Sequence, residues 1–334
     1  MRGTMISLSF GFLSIALAGG ALPGMAAECG PLQMVTSIPM RPIAGGRPGI
    51  GIKIGDTPET LLVDTGGGLS DITKRTVREL NLKPTRTNVT VTNVAGQKSD
   101  QAVRLPSITL GGLRQEGAYF QVAPGPDNGN DKDRQPFAGT LGPDLLQKFD
   151  ADFDFTAGKL NLVSPDHCEG KVVYWTAPAI AIVPMHVAQF GHVIFPMTLD
   201  GKRVTVLLDT GATNTAMNLD VARRIFDVDV NGPDVQKVGE IAGGYTANIY
   251  RRRFKTLEVD GVIIMDPVIA LLPNLMGSGP APRTGSLTRD TDDVQGLPDL
   301  ILGMSVLSKL HVYIAYKEAK LYLSAGAPQA QPPP

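Results

Sequence analysis

The chain has 334 residues and is 43% apolar, enough for one large domain or two of ordinary size around a real core. Its 31 Lys and Arg stand against 32 Asp and Glu, a balance that excludes the strong field expected of a protein working on nucleic acid or an anionic membrane. Abundant Gly (38) and Pro (26) with few aromatics point to a β-rich chain full of tight turns.

From the N-terminus, Arg2, an apolar stretch from Ile6 to Leu22 and small residues ending Met25-Ala26-Ala27 have the layout of a secretory signal peptide. Residues 1–27 are therefore set aside from the fold, with cleavage expected after Ala27 and Ala26 as the alternative. Glu28 occupies the position before Cys29 where a lipidation signal needs a small residue, which argues against a lipid anchor. No later apolar run reaches the length of about 18 residues that a membrane span needs. An exported protein, periplasmic or secreted, meets an oxidising compartment, so Cys29 and Cys168 are expected to pair and tie the mature N-terminus to mid-chain. A thiol nucleophile helped by the adjacent His167 is the weaker reading, since neighbours in sequence are not thereby placed for catalysis.

Next come strand, turn, strand, an Asp-Thr-Gly and a short amphipathic segment over Gly49 to Leu80. Alternating β segments follow at Val89 to Val94, Gln101 to Leu110 and Ala118 to Val122, then a loop poor in apolar residues from Pro124 to Pro136. Thr140-Leu141-Gly142 leads into Pro143 to Phe149 and a hairpin, Ala151 to Val163. Pro165 to Phe190 reads as a connection, after which the whole order returns. An offset of 145 residues carries Leu62-Val63-Asp64-Thr65-Gly66 onto Leu207-Leu208-Asp209-Thr210-Gly211 and Leu80 onto Ile225. The second repeat continues with β segments at Lys237 to Ile241, Ala247 to Val259 and Val262 to Leu272, the triple Arg251 to Arg253 reading as a solvated strand. A loop from Pro273 to Pro298, Ile301-Leu302-Gly303, Met304 to Leu310 and a hairpin, Val312 to Leu323, complete it, and Ala327 to Pro334 reads as a disordered tail. From Gly142 to Leu162 and from Gly303 to Leu323 the spacing is the same 20 residues. The expected organisation is a first lobe at 28–164, a connection at 165–190, a second lobe at 191–326 and a tail at 327–334.

One Asp-Thr-Gly is an ordinary turn sequence, but two in register within a longer repeat point to a site. A strand buried on both faces would deliver Asp64 or Asp209 to the end of an apolar run, where a lone charge is expensive. Gly66 and Gly211 give conformational freedom and room for close approach, while the hydroxyls of Thr65 and Thr210 can bond across a symmetric junction.

These residues resemble the pepsin-like and retropepsin-like aspartic proteases, most of all bacterial retropepsin-like proteins with both lobes in one chain. The resemblance covers roughly Gly49 to Val163 and Ile194 to Leu323. It implies an all-β, bilobal fold of two pseudo-twofold-related, barrel-like lobes with short helices and a cleft between them. It implies further that Asp64 and Asp209 form a catalytic pair sharing one proton, supported by Thr65, Gly66, Thr210 and Gly211 and braced by Leu141-Gly142 and Leu302-Gly303. The turns at Gly96 and at Gly243-Gly244, with Tyr245, fall where the family has its flap. The implied reaction is peptide-bond hydrolysis by a monomer, on a peptide or protein substrate, without metal or cofactor. Gly67 departs from the family pattern, which has Ser or Ala there, and Thr140 makes the first brace less apolar than the second. A peptide-binding module of the same fold, its Gly66 to Gly68 run failing to place Asp64, is the alternative reading. The four histidines lack metal-ligand spacing, and no dinucleotide fingerprint, Walker-type loop or Gly-x-Ser-x-Gly elbow occurs.

Overall fold

The structure, a computed structural model, describes residues 29–93, 96–125, 136–241, 247–273 and 298–326. Strand Val193–Leu199 shows how the sequence builds its sheets: Val193, Phe195, Met197 and Leu199 are buried while the residues between them are not, as the two-residue period of a strand requires. The strands that follow the first turn of each lobe end in fully apolar runs, Leu61-Leu62-Val63 and Val206-Leu207-Leu208, buried on both faces. Short helices fill in where the period changes. Helix α1 (Lys74–Glu79) is capped by Thr73, whose side chain accepts from Thr76 N at 3.2 Å. Helices α2 (Pro143–Leu146) and α4 (Met304–Leu307) follow the two bracing strands, and α3 (Leu219–Phe226) is capped by Asn218 and buries Leu219, Ala222 and Phe226.

The all-β, two-lobed architecture expected from the repeat is the one observed. In the first lobe the strand order is Arg47–Ile54, Thr57–Val63, Gly139–Leu141, Asp71–Ile72, Tyr119–Val122, Lys98–Arg104, Thr85–Thr92. In the second it is Val193–Leu199, Lys202–Leu208, Leu300–Leu302, Ala216–Asn218, Val268–Leu272, Ala247–Arg253, Val235–Ile241, the same path in the same directions. Each lobe adds one hairpin on its first strand, Ser107–Leu110 with Leu113–Glu116 and Thr256–Val259 with Val262–Met265. Both of these interrupt segments read from sequence as continuous. The chain turns at Leu105-Pro106, where proline withholds a ladder donor, and at Phe254-Lys255, whose amides bond to Pro267 O and Asp200 Oδ1 instead of a neighbouring strand.

The lobes join through a shared layer in the order Ala181–Pro184, Lys320–Ala325, Leu310–Ala315, Asp150–Asp154, Lys159–Val163, Met34–Ile43. At its centre the two hairpins pair antiparallel, with Ala151 opposite Ile314, Asp152 opposite Tyr313 and Phe153 opposite Val312. The connection between lobes is thus not a plain linker, because Ala181–Pro184 and His186–Val187 are strands. On this layer Asp150 accepts from His167 Nε2 at 2.6 Å and Asp152 from His311 Nε2 at 2.5 Å, and both carboxylates are fully buried. Cys29 and Cys168 form a disulfide, so His167 has no thiol to activate.

Candidate active site

The apolar strands Thr57–Val63 and Lys202–Leu208 run out at Asp64 and Asp209, and the bracing strands hold the backbone there. Asp64 N donates to Leu141 O at 3.0 Å and Asp209 N to Leu302 O at 3.0 Å. The two loops then lock into each other. Thr65 Oγ1 donates to Leu208 O (2.8 Å) and accepts from Thr210 N (3.1 Å), while Thr210 Oγ1 donates to Val63 O (2.7 Å) and accepts from Thr65 N (3.1 Å). Both threonines are fully buried, so these four bonds, worth about 1 kcal/mol each, fix one lobe against the other.

This lock forces close approach of the next residues. A Cβ on Gly66 would lie 2.2 Å from Asp209 Cγ, and one on Gly211 would lie 2.3 Å from Asp64 Cγ. Neither glycine has a positive φ, so what excludes a side chain is the opposite carboxyl, not a special backbone conformation. Each lobe's aspartate therefore faces the other lobe's glycine. The two carboxyls act on each other, and each accepts from its own loop: Asp64 Oδ1 from Gly66 N at 3.0 Å, Asp209 Oδ1 from Ala212 N at 2.9 Å.

Burial raises both carboxyls above the ordinary range. For Asp209 the negative charge of Asp64 adds to burial, and the group is pushed up to about 7. For Asp64 burial is opposed by the amides of Gly66 and Gly67, by the bond to Asp209 and by His192, and the net direction is still upward. Two such carboxyls hold one proton between them over a wide pH range, and that proton belongs to the pair. The arrangement can activate a water with one carboxylate while the partner donates a proton.

Behind each aspartate stands a hydroxyl that the repeat aligns at the same offset of 145, Ser70 with Thr215. Gly142 N donates to Ser70 Oγ (2.9 Å) and Gly303 N to Thr215 Oγ1 (3.1 Å), tying the bracing glycine to the loop in both lobes. The next partner differs. Ser70 donates to the carboxylate Asp144 through N (2.9 Å) and Oγ (2.7 Å), whereas Thr215 N donates to Ser305 Oγ (2.9 Å). The first lobe also holds Asp71, pushed by burial to about 7, restrained by a bond from Thr140 and raised further by the charge of Asp64. Thr140, the residue that makes the first brace less apolar, stands opposite Asp71 in the sheet and restrains its carboxyl.

The sequence-predicted Asp64, Thr65, Gly66, Asp209, Thr210 and Gly211 come together at the lobe junction, with Leu141-Gly142 and Leu302-Gly303 directly behind. Gly96 lies in the turn between Thr85–Thr92 and Lys98–Arg104, at φ 79°, its N–H bonded to Asn93 O. Gly243, Gly244 and Tyr245 lie outside the described residues, as do the segments read as signal peptide and tail and most of the two long loops. Sequence reasoning missed Ser70, Asp71, Asp144, Thr215, Ser305 and His192. The hydroxyl pair at 70 and 215 was open to discovery from the repeat register, whereas Asp71 aligns with Ala216 and carries no repeat signal.

A family model described as aspartyl protease matches residues 50–145 and 195–306, one stretch in each lobe and together more than half of the chain. No curated protein matches the chain.

Proposed function

The chain belongs to the aspartyl protease family, and from that premise we propose that it is an aspartic endopeptidase whose catalytic pair is Asp64 and Asp209. The observation that carries this reading is the reciprocal contact of each aspartate with the other lobe's glycine, which brings two half-buried carboxyls close enough to act on each other. An extended segment of a peptide or protein lies between the lobes, held by main-chain bonds. The ionised member of the pair takes a proton from water as the oxygen attacks the scissile carbonyl. The protonated member donates to the carbonyl oxygen; on collapse the proton taken from water passes to the leaving nitrogen, the C–N bond breaks, and the hydroxyl of the intermediate returns its proton to the pair.

Because both carboxyls come from one chain, the active species is a monomer. Export fits the disulfide Cys29–Cys168 and the layout of residues 1–27, and among the described residues no helix is long and apolar enough to cross a membrane. Lobes at 28–164 and 191–326, a connection at 165–190 and a tail from 327 are the domain boundaries we propose. Cleavage of an unfolded polypeptide by the purified chain, followed over a pH series with and without a statine-type transition-state mimic, tests the reading. Cleavage blocked by the mimic is expected. No cleavage at any pH, or cleavage indifferent to the mimic, sinks it.

A further inference from the structure

Three consecutive glycines, Gly66-Gly67-Gly68, follow Asp64-Thr65 in the first lobe. Glycine has the largest backbone freedom of any residue, and here it adjoins a group that must be held within a fraction of an ångström. The amide of Gly66 donates to Asp64 Oδ1 at 3.0 Å and a Cβ on Gly67 would stand 3.1 Å from Asp64 Cγ, so wherever this run goes the carboxyl goes with it. Gly66 is fixed by the opposite carboxyl, but a Cβ placed on Gly68 would meet nothing within 4 Å.

Beyond the contact of Asp209 with Gly66, the second lobe reaches this run at Gly67. His192 Nε2 lies 2.5 Å from Gly67 O. A carbonyl oxygen can only accept, so Nε2 carries a hydrogen. His192 is itself set by the tight turn Gln189–Gly191, in which Gly191 N donates to Ala188 O (3.0 Å) and Ala188 N to His192 O (2.8 Å). Phe190 there has φ 63°, a strained value for a bulky residue that persists only where its surroundings dictate it. The next residue abuts the first lobe, since a Cβ on Gly191 would stand 2.9 Å from Pro143 O and 3.0 Å from the Gln147 amide carbon. The turn is wedged against α2, and the imidazole extends from it to Gly67.

The symmetry-related position makes the case specific. Residue 47, 145 before His192, is Arg47, which donates from Nε to Ala44 O of its own turn at 2.8 Å and lies over the Phe137 ring at 5.6 Å. The counterpart of Gly67 is Ala212, which carries a side chain. The pin occurs on the side where the loop has no side chains of its own.

Resting on the protease reading, we propose that His192 is a positioning residue for Asp64, sent across the lobe junction to hold the carbonyl of Gly67. The charged group it faces is Asp64, which in turn acts on Asp209 and Asp71. His192 favours the ionised form of Asp64, so removing it moves the acid limb of the activity profile to higher pH.

The test uses His192→Ala and His192→Gln in the full chain, because a glutamine amide can donate where Nε2 stood without supplying charge. The alanine variant should lose about tenfold to 100-fold in kcat with KM within about twofold, as expected of a misplaced catalytic group. The glutamine variant should recover most of kcat at its optimum while keeping the raised acid limb. Hydrogen exchange of the backbone amides in residues 63–72, measured by mass spectrometry on the same proteins, should quicken in the alanine variant and return towards wild type with glutamine. Alanine indistinguishable from wild type in both kcat and exchange, or glutamine no better than alanine, overturns the proposal. If the wild type cleaves nothing, the protease reading has failed by itself, and the exchange comparison alone decides whether His192 pins the loop.

Discussion

The two lobes solve one geometric problem with different chemistry. Both deliver an aspartate on a doubly buried strand, follow it with threonine and glycine, and tie the bracing glycine to a hydroxyl. Beyond that shell they part. The first lobe carries two more carboxyls, Asp71 and Asp144, and a loop of three glycines; the second has Ala216, Ser305 and Ala212 at the equivalent places. What the pair of loops shares is what the junction's geometry demands. What differs is what a lobe can vary while the aspartates still meet, and the first lobe places two further half-buried carboxyls there.

The largest effects should fall on the shared shell, and equally in both lobes. Asp64→Asn and Asp209→Asn should each lower kcat/KM by on the order of 1,000-fold or more, with the double variant no worse, because the two act as a unit. A single variant near wild-type activity would sink the shared pair. Gly66→Ala and Gly211→Ala should come next. Each places a methyl 2.2–2.3 Å from the opposite Cγ, so activity should be lost along with about 1–3 kcal/mol of stability measured by urea unfolding. Gly67→Ala is the control, since its Cβ would stand at 3.1 Å from Asp64 Cγ and need only a shift of a few tenths of an ångström. Thr65→Val and Thr210→Val should each destabilise the junction by about 1–3 kcal/mol, through the buried groups left without partners.

Asp71→Asn probes the asymmetry. A carboxyl raised to about 7 in the folded state contributes stability that is fully present below its unfolded value and lost as pH rises through the folded one. Between about pH 4 and about pH 8 the wild type should therefore weaken relative to the variant by on the order of 2 kcal/mol, with no such divergence for Ala216→Ser. Urea midpoints that run parallel for wild type and Asp71→Asn across that range would show that Asp71 does not titrate in this window. The smallest effect is expected from a hydroxyl beside either aspartate. Ala212→Ser and Gly67→Ser can each donate to the adjacent carboxyl and favour its charge, so the kcat/KM profile should move towards acid by up to about one pH unit. Profiles that move towards alkaline pH would show that other groups set the pair's ionisation.

Much of this was legible because the fold is written twice. The 145-residue register exposed both aspartates, both threonines and both bracing glycines, since each is required by close approach rather than by local propensity. The strands Met34–Ile43 and Ala181–Pro184 were not legible. Their prolines, Pro39, Pro42 and Pro184, argue against a strand locally, and although the end of the first pairs with nearby Arg47–Ile54, their partners in the shared layer, Lys159–Val163 and Lys320–Ala325, are more than 100 residues away. His192 was equally hidden, for nothing in a lone histidine before a strand says that its ring crosses to the other lobe.

The central pairing of the shared layer limits how the molecule could ever be divided. At that end of the repeat equivalent positions are 161 apart, so Asp152 opposite Tyr313 is a residue facing its own counterpart across the axis, and His311 is the counterpart of Asp150. In a homodimer of the first half alone, Asp152 would confront a second Asp152, and the place of His311 would be taken by a second Asp150. Four carboxyls would then crowd a layer in which Asp152 now has His311 at 2.5 Å and Asn161 at 2.8 Å for company. Neutralising them by protonation, or leaving them charged and unpaired, would each cost the dimer several kcal/mol. A single chain carrying two unlike halves permits acid on one side of the axis and histidine with tyrosine on the other, a pairing that two copies of the first half would lack.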